Sequence, residues 1–169
     1  TTYQVVVIPE VIVNITGNPT VCDGDSTTLY ANSNIPGTTY AWDYQWAPIS
    51  SAADSLVVTS GGTGWYYLTG SYLGCVSKKD SIQVLANANP TIVVPGDFIV
   101  CPGQSVTATV SSNIQGSNFV WMPGNLSGAT HTLTSAGSMT YYVYAESAGC
   151  VSPVASFMVN PSAACFLEI

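Results

Sequence analysis

The chain repeats itself, and no other feature constrains its fold as tightly. Val21-Cys22-Asp23-Gly24-Asp25-Ser26 returns 79 positions later as Val100-Cys101-Pro102-Gly103-Gln104-Ser105. Ser33-Asn34-Ile35 and Gly37 return at the same offset as Ser112-Asn113-Ile114 and Gly116. Further on, Gly74-Cys75-Val76-Ser77 returns 75 positions later as Gly149-Cys150-Val151-Ser152. Trp46 and Trp121 share that second offset, so the first copy carries four extra residues between Gly37 and Trp46. Self-similarity of this kind marks units that fold as copies of one another. The 169 residues are therefore expected to divide into two small modules, not one large domain.

Boundaries follow from the alignment. The first module is expected over residues 10–88 and the second over residues 89–161, joined at Asn87-Ala88-Asn89-Pro90. At the offset of 79, Gln4-Val5 aligns with Gln83-Val84 in the closing strand of the first module. Residues 1–9 are thus expected to be the closing strand of an earlier module, or a donor strand for another subunit. Residues 162–169 are expected to form a stub leading towards a further domain.

Every segment reads as β. Ser26–Ala31, Ser55–Thr59, Ser105–Val110, Thr130–Thr134 and Thr140–Ala145 are short, rich in Val, Thr and Tyr, and bounded by Gly, Pro, Asn or Ser. Sustained i, i+3, i+4 apolar spacing is absent. About seven strands per module, with turns every 8–12 residues, predict an all-β fold of two tandem immunoglobulin-like β-sandwich domains.

Composition then narrows the function. Hydrophobic residues make up 47% of the chain but charged ones only 7%, against roughly 25% in an average soluble domain. Lys78 and Lys79 are the whole basic supply in a chain of net charge −7. Nucleic-acid binding is excluded, because phosphates need Lys or Arg to neutralise them. An anionic membrane surface is excluded on the same ground. The most apolar stretch, Val5 to Ile15, is broken by Pro9, Glu10 and Asn14, short of the ~20 apolar residues a spanning helix needs. No membrane insertion is expected.

Residues 98–145 contain no Asp, Glu, Lys or Arg, so the second module cannot assemble a carboxylate pair for acid–base chemistry. His131 is the one histidine, in Thr-His-Thr, where a surface or cross-strand role is expected. The first module has Asp23, Asp25, Asp43, Asp54 and Asp80 but no histidine. No nucleophile elbow, phosphate loop or metal helix occurs. The chain is not expected to be an enzyme or to carry a cofactor. Asp23 and Asp25 are a weak candidate pair of Ca²⁺ ligands; a hydrogen-bonded turn is the plainer reading. Lys78-Lys79 is expected to be a solvated edge that discourages strand pairing.

Widely spaced cysteines and abundant Ser, Thr and Asn suit an extracellular setting, on a cell surface or secreted. Four of the five cysteines, Cys22, Cys75, Cys101 and Cys150, allow three connectivities, and the repeat favours Cys22–Cys75 and Cys101–Cys150. Each bridge would clip two loops at one end of its sandwich. Closing a loop of ~50 residues is worth about 4 kcal/mol in the chain-entropy model. Cys165 is left without a mate. Trp46 and Trp121 are expected to be the core tryptophans between the sheets. Tyr40, Trp42, Tyr44 and Trp46 share one parity on their strand. They are therefore read mainly as extended core, and otherwise as an aromatic platform for stacking sugar rings of a surface polysaccharide.

Several motifs carry a resemblance. Val21-Cys22 and Val100-Cys101, Trp46-Ala47-Pro48 and Trp121-Met122-Pro123, Gly74-Cys75 and Gly149-Cys150, Thr140-Tyr141-Tyr142-Val143 and Val159-Asn160-Pro161 together resemble the immunoglobulin-like (PKD-like) repeats of large secreted and cell-surface Bacteroidetes proteins. The first copy departs from this pattern with Trp65-Tyr66-Tyr67-Leu68. Cys165-Phe166-Leu167-Glu168-Ile169 is similar to the lead-in of a gliding-motility-associated sorting domain of type IX secretion. The resemblance implies a non-enzymatic stalk or fibre segment of an adhesin-like protein. Its partners would be neighbouring immunoglobulin-like modules or identical subunits, which could form a filament by strand addition. Asp25-Ser26-Thr27, Asp54-Ser55-Leu56 and Asp80-Ser81-Ile82 resemble the O-glycosylation sequon of the same bacteria, making Ser26, Ser55 and Ser81 candidate sites.

Overall fold

The computed structural model describes residues 7–162. The expectations for residues 1–6 of the terminal strand, and for Cys165 and the tail after 162, lie outside the described residues. The chain divides into two compact units, Thr1–Asn87 and Ala88–Ile169.

In unit 1, β1 (Val13–Gly17), β2 (Thr20–Cys22), β3 (Ser26–Ser33), β4 (Thr39–Tyr44), β5 (Ala47–Pro48), β6 (Ser55–Thr59), β7 (Gly64–Tyr72), β8 (Cys75–Val76) and β9 (Asp80–Asn87) build two sheets. One runs β1-β3-β6 and the other β2-β9-β7-β4-β5, with β8 folding back on β7. In unit 2, β10 (Ile92–Val93), β11 (Phe98–Val100), β12 (Ser105–Thr109), β13 (Ser111–Ser112), β14 (Asn118–Met122), β15 (Leu126–Ser127), β16 (Thr130–Thr134), β17 (Met139–Ser147), β18 (Cys150–Val151) and β19 (Ala155–Pro161) repeat the plan. Its large sheet runs β11-β19-β17-β14-β15, faced by the pairs β10-β13 and β12-β16.

Alternation along the strands fills the space between the sheets. In β7, Tyr66 and Leu68 are buried while Trp65 points outward; in β17, Tyr141, Val143 and Ala145 are buried while Tyr142 points outward. Leu29, Ala31 and Val58 of one sheet meet Trp42, Tyr66, Leu68 and Val84 of the other. Ala108 and Leu133 meet Trp121, Val143 and Phe157 in unit 2. Both cores are small and closed by one buried tryptophan. Apolar burial at roughly 25 cal/mol per Å² makes that ring the largest single contribution in each.

The register overturns the expected bridges. The strand before Cys22 runs parallel to β9, placing Cys22 beside Asn87. The β7–β9 pairing puts that end of β9 past Gly64, the start of β7. Cys75 instead pairs with Tyr72, at the end of β7. At about 3.3 Å per residue the two sulfurs are separated by the whole strand, roughly 25 Å or more. A disulfide tolerates Cα separations of only about 4.4–6.8 Å. Cys75 is a free, exposed cysteine, while Cys22 is disulfide-bonded.

The same geometry separates Cys101 from Cys150. Val100 lies beside Pro161 and Met139 beside Val159, so Cys101 is at the start of β17. Cys150 pairs with Ser147 at its end. Cys101 and Cys150 are both disulfide-bonded, but their positions in the sheet rule out a direct bond between them. Among the described residues, each unit therefore has one cysteine at each pole.

Candidate functional site

The four-residue difference between the units lies beyond Trp42 of β4 and Trp121 of β14. Trp42 and Trp121 are 1% and 0% exposed, and their indole N–H groups donate to the Ala53 and Gly128 carbonyls at 3.0 and 2.7 Å. Trp42, and not Trp46, is therefore the counterpart of Trp121, whereas Trp46 is 70% exposed. The reason is local: β4 ends at Tyr44, and Gln45 and Trp46 turn with φ of 47° and 69°. Period-2 alternation stops at a turn, so the parity that groups Trp46 with the inward side chains does not reach it. The shared Trp-x-Pro spelling is not a shared position.

The predicted aromatic stripe is accordingly split. Tyr40 and Tyr44 pack against the core, and the Tyr44 hydroxyl donates to the Thr63 carbonyl at 2.7 Å. Tyr66 lies 5.0 Å from Tyr44, ring centre to ring centre, and donates to the Gly62 carbonyl at 2.6 Å. Burial raises the Tyr66 hydroxyl pKa above the ordinary tyrosine value, and the neighbouring Tyr44 adds to the rise. Of the four stripe residues, only Trp46 reaches the outer surface as an open ring.

There Trp46 meets residues that were not singled out as a site from sequence. Its ring stacks on Tyr67 at 4.1 Å, and Trp65 lies 6.5 Å beyond Tyr67 at an interplanar angle of 22°. The Lys79 ammonium sits 5.3 Å from the Trp46 ring centre and 5.5 Å from that of Tyr67. Its Nζ donates to Asp43 Oδ2 at 2.6 Å. Lys79 is thus part of an aromatic cluster, held by cation–π attraction and one ion pair, and not the solvated edge expected for it. The legible signal was the departure Trp65-Tyr66-Tyr67-Leu68, whose odd members face outward beside the turn of Trp46. Unit 2 has Thr140 and Val154 where unit 1 has Trp65 and Lys79. A sandwich of this type therefore folds without the cluster, which makes the cluster the candidate functional site.

The remaining candidates have local roles. Asp23 and Asp25 flank Gly24 in a turn where Asp25 N–H donates to the Cys22 carbonyl and Gly24 N–H to Ser60 Oγ. Gln104 N–H makes the same bond to the Cys101 carbonyl at 2.9 Å without any carboxylate. No group of three or more His, Cys, Asp or Glu that could hold a metal occurs among the described residues. His131 packs edge-on against Trp121, and its Nε2 lies 3.0 Å from the Ser127 carbonyl. Asp80 accepts the Ile15 N–H at 2.7 Å, which holds β1 to the neighbouring sheet. Ser26 and Ser81 are exposed and Ser55 is half-buried, all at or near strand starts. No helix among the described residues is long and apolar enough to cross a membrane.

No protein-family model matches the chain, and no curated protein sequence matches it. Solved structures do. A chain of the complex between the mouse coronavirus receptor-binding domain and its murine receptor is 16% identical, with a TM-score of 0.55, 88% of this chain covered and 100% of that one. The Sidekick-1 immunoglobulin domains 1–4 match at 12% identity and a TM-score of 0.51, over 92% of this chain and 50% of that one. The three N-terminal domains of the outer capsid protein Hoc of bacteriophage RB49 align at 19% identity and 0.49, covering 89% of this chain and 59% of that one. Identities this low speak to fold. Together with the strand order, the receptor-complex chain and Sidekick-1 matches make this chain a pair of tandem immunoglobulin-like β-sandwiches.

Proposed function

We propose that the chain is a non-enzymatic structural and adhesion segment of a repetitive extracellular protein, a stalk whose modules act as independent mechanical units. The observation that carries this reading is the repetition of one sandwich plan twice in one chain, each with its own closed core. The outward strand positions hold few charges: Thr, Ser and Asn share them with apolar side chains such as Val57, Leu85 and Met158. The motif resemblance adds the finer reading of a type IX secretion cargo on a Bacteroidetes cell surface. Single-molecule pulling on the full chain tests the mechanical role. Two separate unfolding events are expected; one cooperative event releasing both units would overturn it.

A second reading rests on the cluster of Trp46, Tyr67 and Trp65. Exposed rings flanked by Asp43 and Lys79 offer both stacking surface and hydrogen-bonding groups, the combination that recognises a sugar ring. Binding to a panel of bacterial surface polysaccharides should weaken about tenfold in Trp46→Ala, the scale of one lost stacking contact. Silence across the panel would dispose of it. Modification at Ser26, Ser55 or Ser81 would show as added hexose mass on the native protein, and unmodified peptides at all three would refute it.

A further inference from the structure

The aromatic cluster of unit 1 already holds a cation, and the cation is its own. Asp43 lies directly opposite Tyr67 in the β4–β7 pairing, so carboxylate and ring stand side by side on the outward face. Above them sits the Lys79 ammonium, 2.6 Å from Asp43 Oδ2 and 5.3 and 5.5 Å from the Trp46 and Tyr67 ring centres. Two electron-rich ring faces and a carboxylate make a seat for an ammonium group. Lys79 reaches that seat on a long flexible stem and is still 37% accessible there, so an outside cation can compete with it.

Further polar groups border the same rings. Across the β7–β9 pairing Tyr67 faces Ser81 and Trp65 faces Gln83, and both polar residues are exposed. Unit 2 keeps a tyrosine at the centre of this face but not its polar border. Met122 pairs with Tyr142 as Asp43 pairs with Tyr67, while Val154 and Met158 stand where unit 1 has Lys79 and Gln83. The sheet therefore folds without these polar side chains, which leaves ligand recognition as their use. Charge then selects the ligand. The chain carries −7, and the cation at the rings is already neutralised by Asp43. An acidic ligand is repelled by the chain as a whole, and a cationic one is drawn to it.

We propose that the cluster takes a sugar with a free ammonium group, an unacetylated amino sugar, and that Lys79 is its built-in competitor. The inference rests on the sugar-binding reading above and adds the class of sugar. The ligand's ammonium replaces Lys79 Nζ between Asp43 and the rings, and its pyranose ring stacks on Trp46. Ser81 and Gln83 receive its hydroxyl groups. Acetylation removes the charge that Asp43 recognises, so the site separates the free amine from the amide. Lys79 lowers affinity, the reverse of what a lysine that gripped the ligand would do.

Calorimetric titration of the full chain with a glucosamine trisaccharide, its N-acetylated form and a glucose trisaccharide tests this. The glucosamine form is expected to bind about tenfold more tightly than the other two, the scale of one charge-assisted hydrogen bond. Lys79→Ala should tighten it about fivefold more, because the ligand no longer displaces an exposed ion pair and cation–π contact. Lys78→Ala makes the same change in net charge and should leave the affinity as it was. Asp43→Asn should erase the preference for the ammonium form while circular dichroism shows the fold kept. Equal binding of the three sugars, weaker binding in Lys79→Ala, or the same tightening in Lys78→Ala would each overturn the inference and leave the sugar-binding reading standing. Silence from these three sugars alone would also overturn it, and silence across the whole polysaccharide panel would remove both.

Discussion

Units 1 and 2 answer the same structural problem with different surfaces. Both close a core on one tryptophan, and both turn a hairpin after the long strand at the same residues of the repeat. They part company where unit 1 carries β4 two residues beyond Trp42, to Tyr44, while unit 2 carries β14 only one beyond Trp121, to Met122. The extension lets Trp46 reach Tyr67 and Lys79, and unit 2 has no equivalent. Twin modules thereby separate what the sandwich requires from what has been added to it. Buried features shared by both are requirements of the fold, and exposed features of one alone are candidates for function.

The strongest way to break this distinction is to exchange the roles of the tryptophans. Trp42→Ala and Trp121→Ala should each destabilise their own unit by about 3–5 kcal/mol, the usual cost of emptying a large aromatic site. Trp46→Ala should cost under about 1 kcal/mol, because its ring is largely in water. Urea unfolding followed separately for the two units checks all three. Equal losses at Trp42 and Trp46 would erase the contrast.

A second comparison concerns one buried serine in each unit. Ser77 accepts the Gly70 N–H and donates to the Lys78 carbonyl; Ser152 accepts the Ala145 N–H and donates to the Pro153 carbonyl. Ser77→Ala and Ser152→Ala should cost about 1–3 kcal/mol apiece, the penalty of a buried N–H left unpaired. Denaturant midpoints that move in only one unit would show the two sites to be unlike.

The strand partner of that serine sharpens the difference. A Cβ on Gly70 would come within 2.5 Å of Val13 Cγ1 and 2.8 Å of Thr38 Cγ2, whereas unit 2 holds Ala145 at the equivalent position. Gly70→Ala should therefore destabilise unit 1 by about 1–3 kcal/mol through overpacking, and Ala145→Gly should act through a lost methyl and backbone entropy instead. Thermal unfolding of both variants distinguishes these. The smallest effect is expected at Lys79→Ala, no more than about 1 kcal/mol. The ion pair is partly exposed and screened, with side chains 37% and 20% accessible. High salt should shrink that effect further.

Much of this was legible in the chain. The repeat and its punctuation located the strands, and Ser55–Thr59 and Thr130–Thr134 coincide with β6 and β16. Trp121 was readable as core because strand and motif agree there. Trp46 was not, because positive φ at Gln45 and at Trp46 itself turns the chain out of β4 as the motif begins, and nothing in the identity of these two residues announces it. The aromatic cluster escaped for a related reason: Trp46, Tyr67 and Lys79 come from three separate segments that only strand pairing brings together.

The cysteines mark the boundary most clearly. By itself the sequence determined that the chain folds as two copies of a β-sandwich, that each copy carries two cysteines, and that charge is too scarce for nucleic acid. Those conclusions rest on period, composition and local propensity, which are properties of the linear chain. Only the tertiary structure decided that the two cysteines of a copy face opposite poles. The first strand of the large sheet runs parallel to the last, so a residue early in the module ends up far from the hairpin that sequence symmetry pairs it with. Strand direction is set by long-range pairing between sheets' edges, and no local signal in the sequence encodes it.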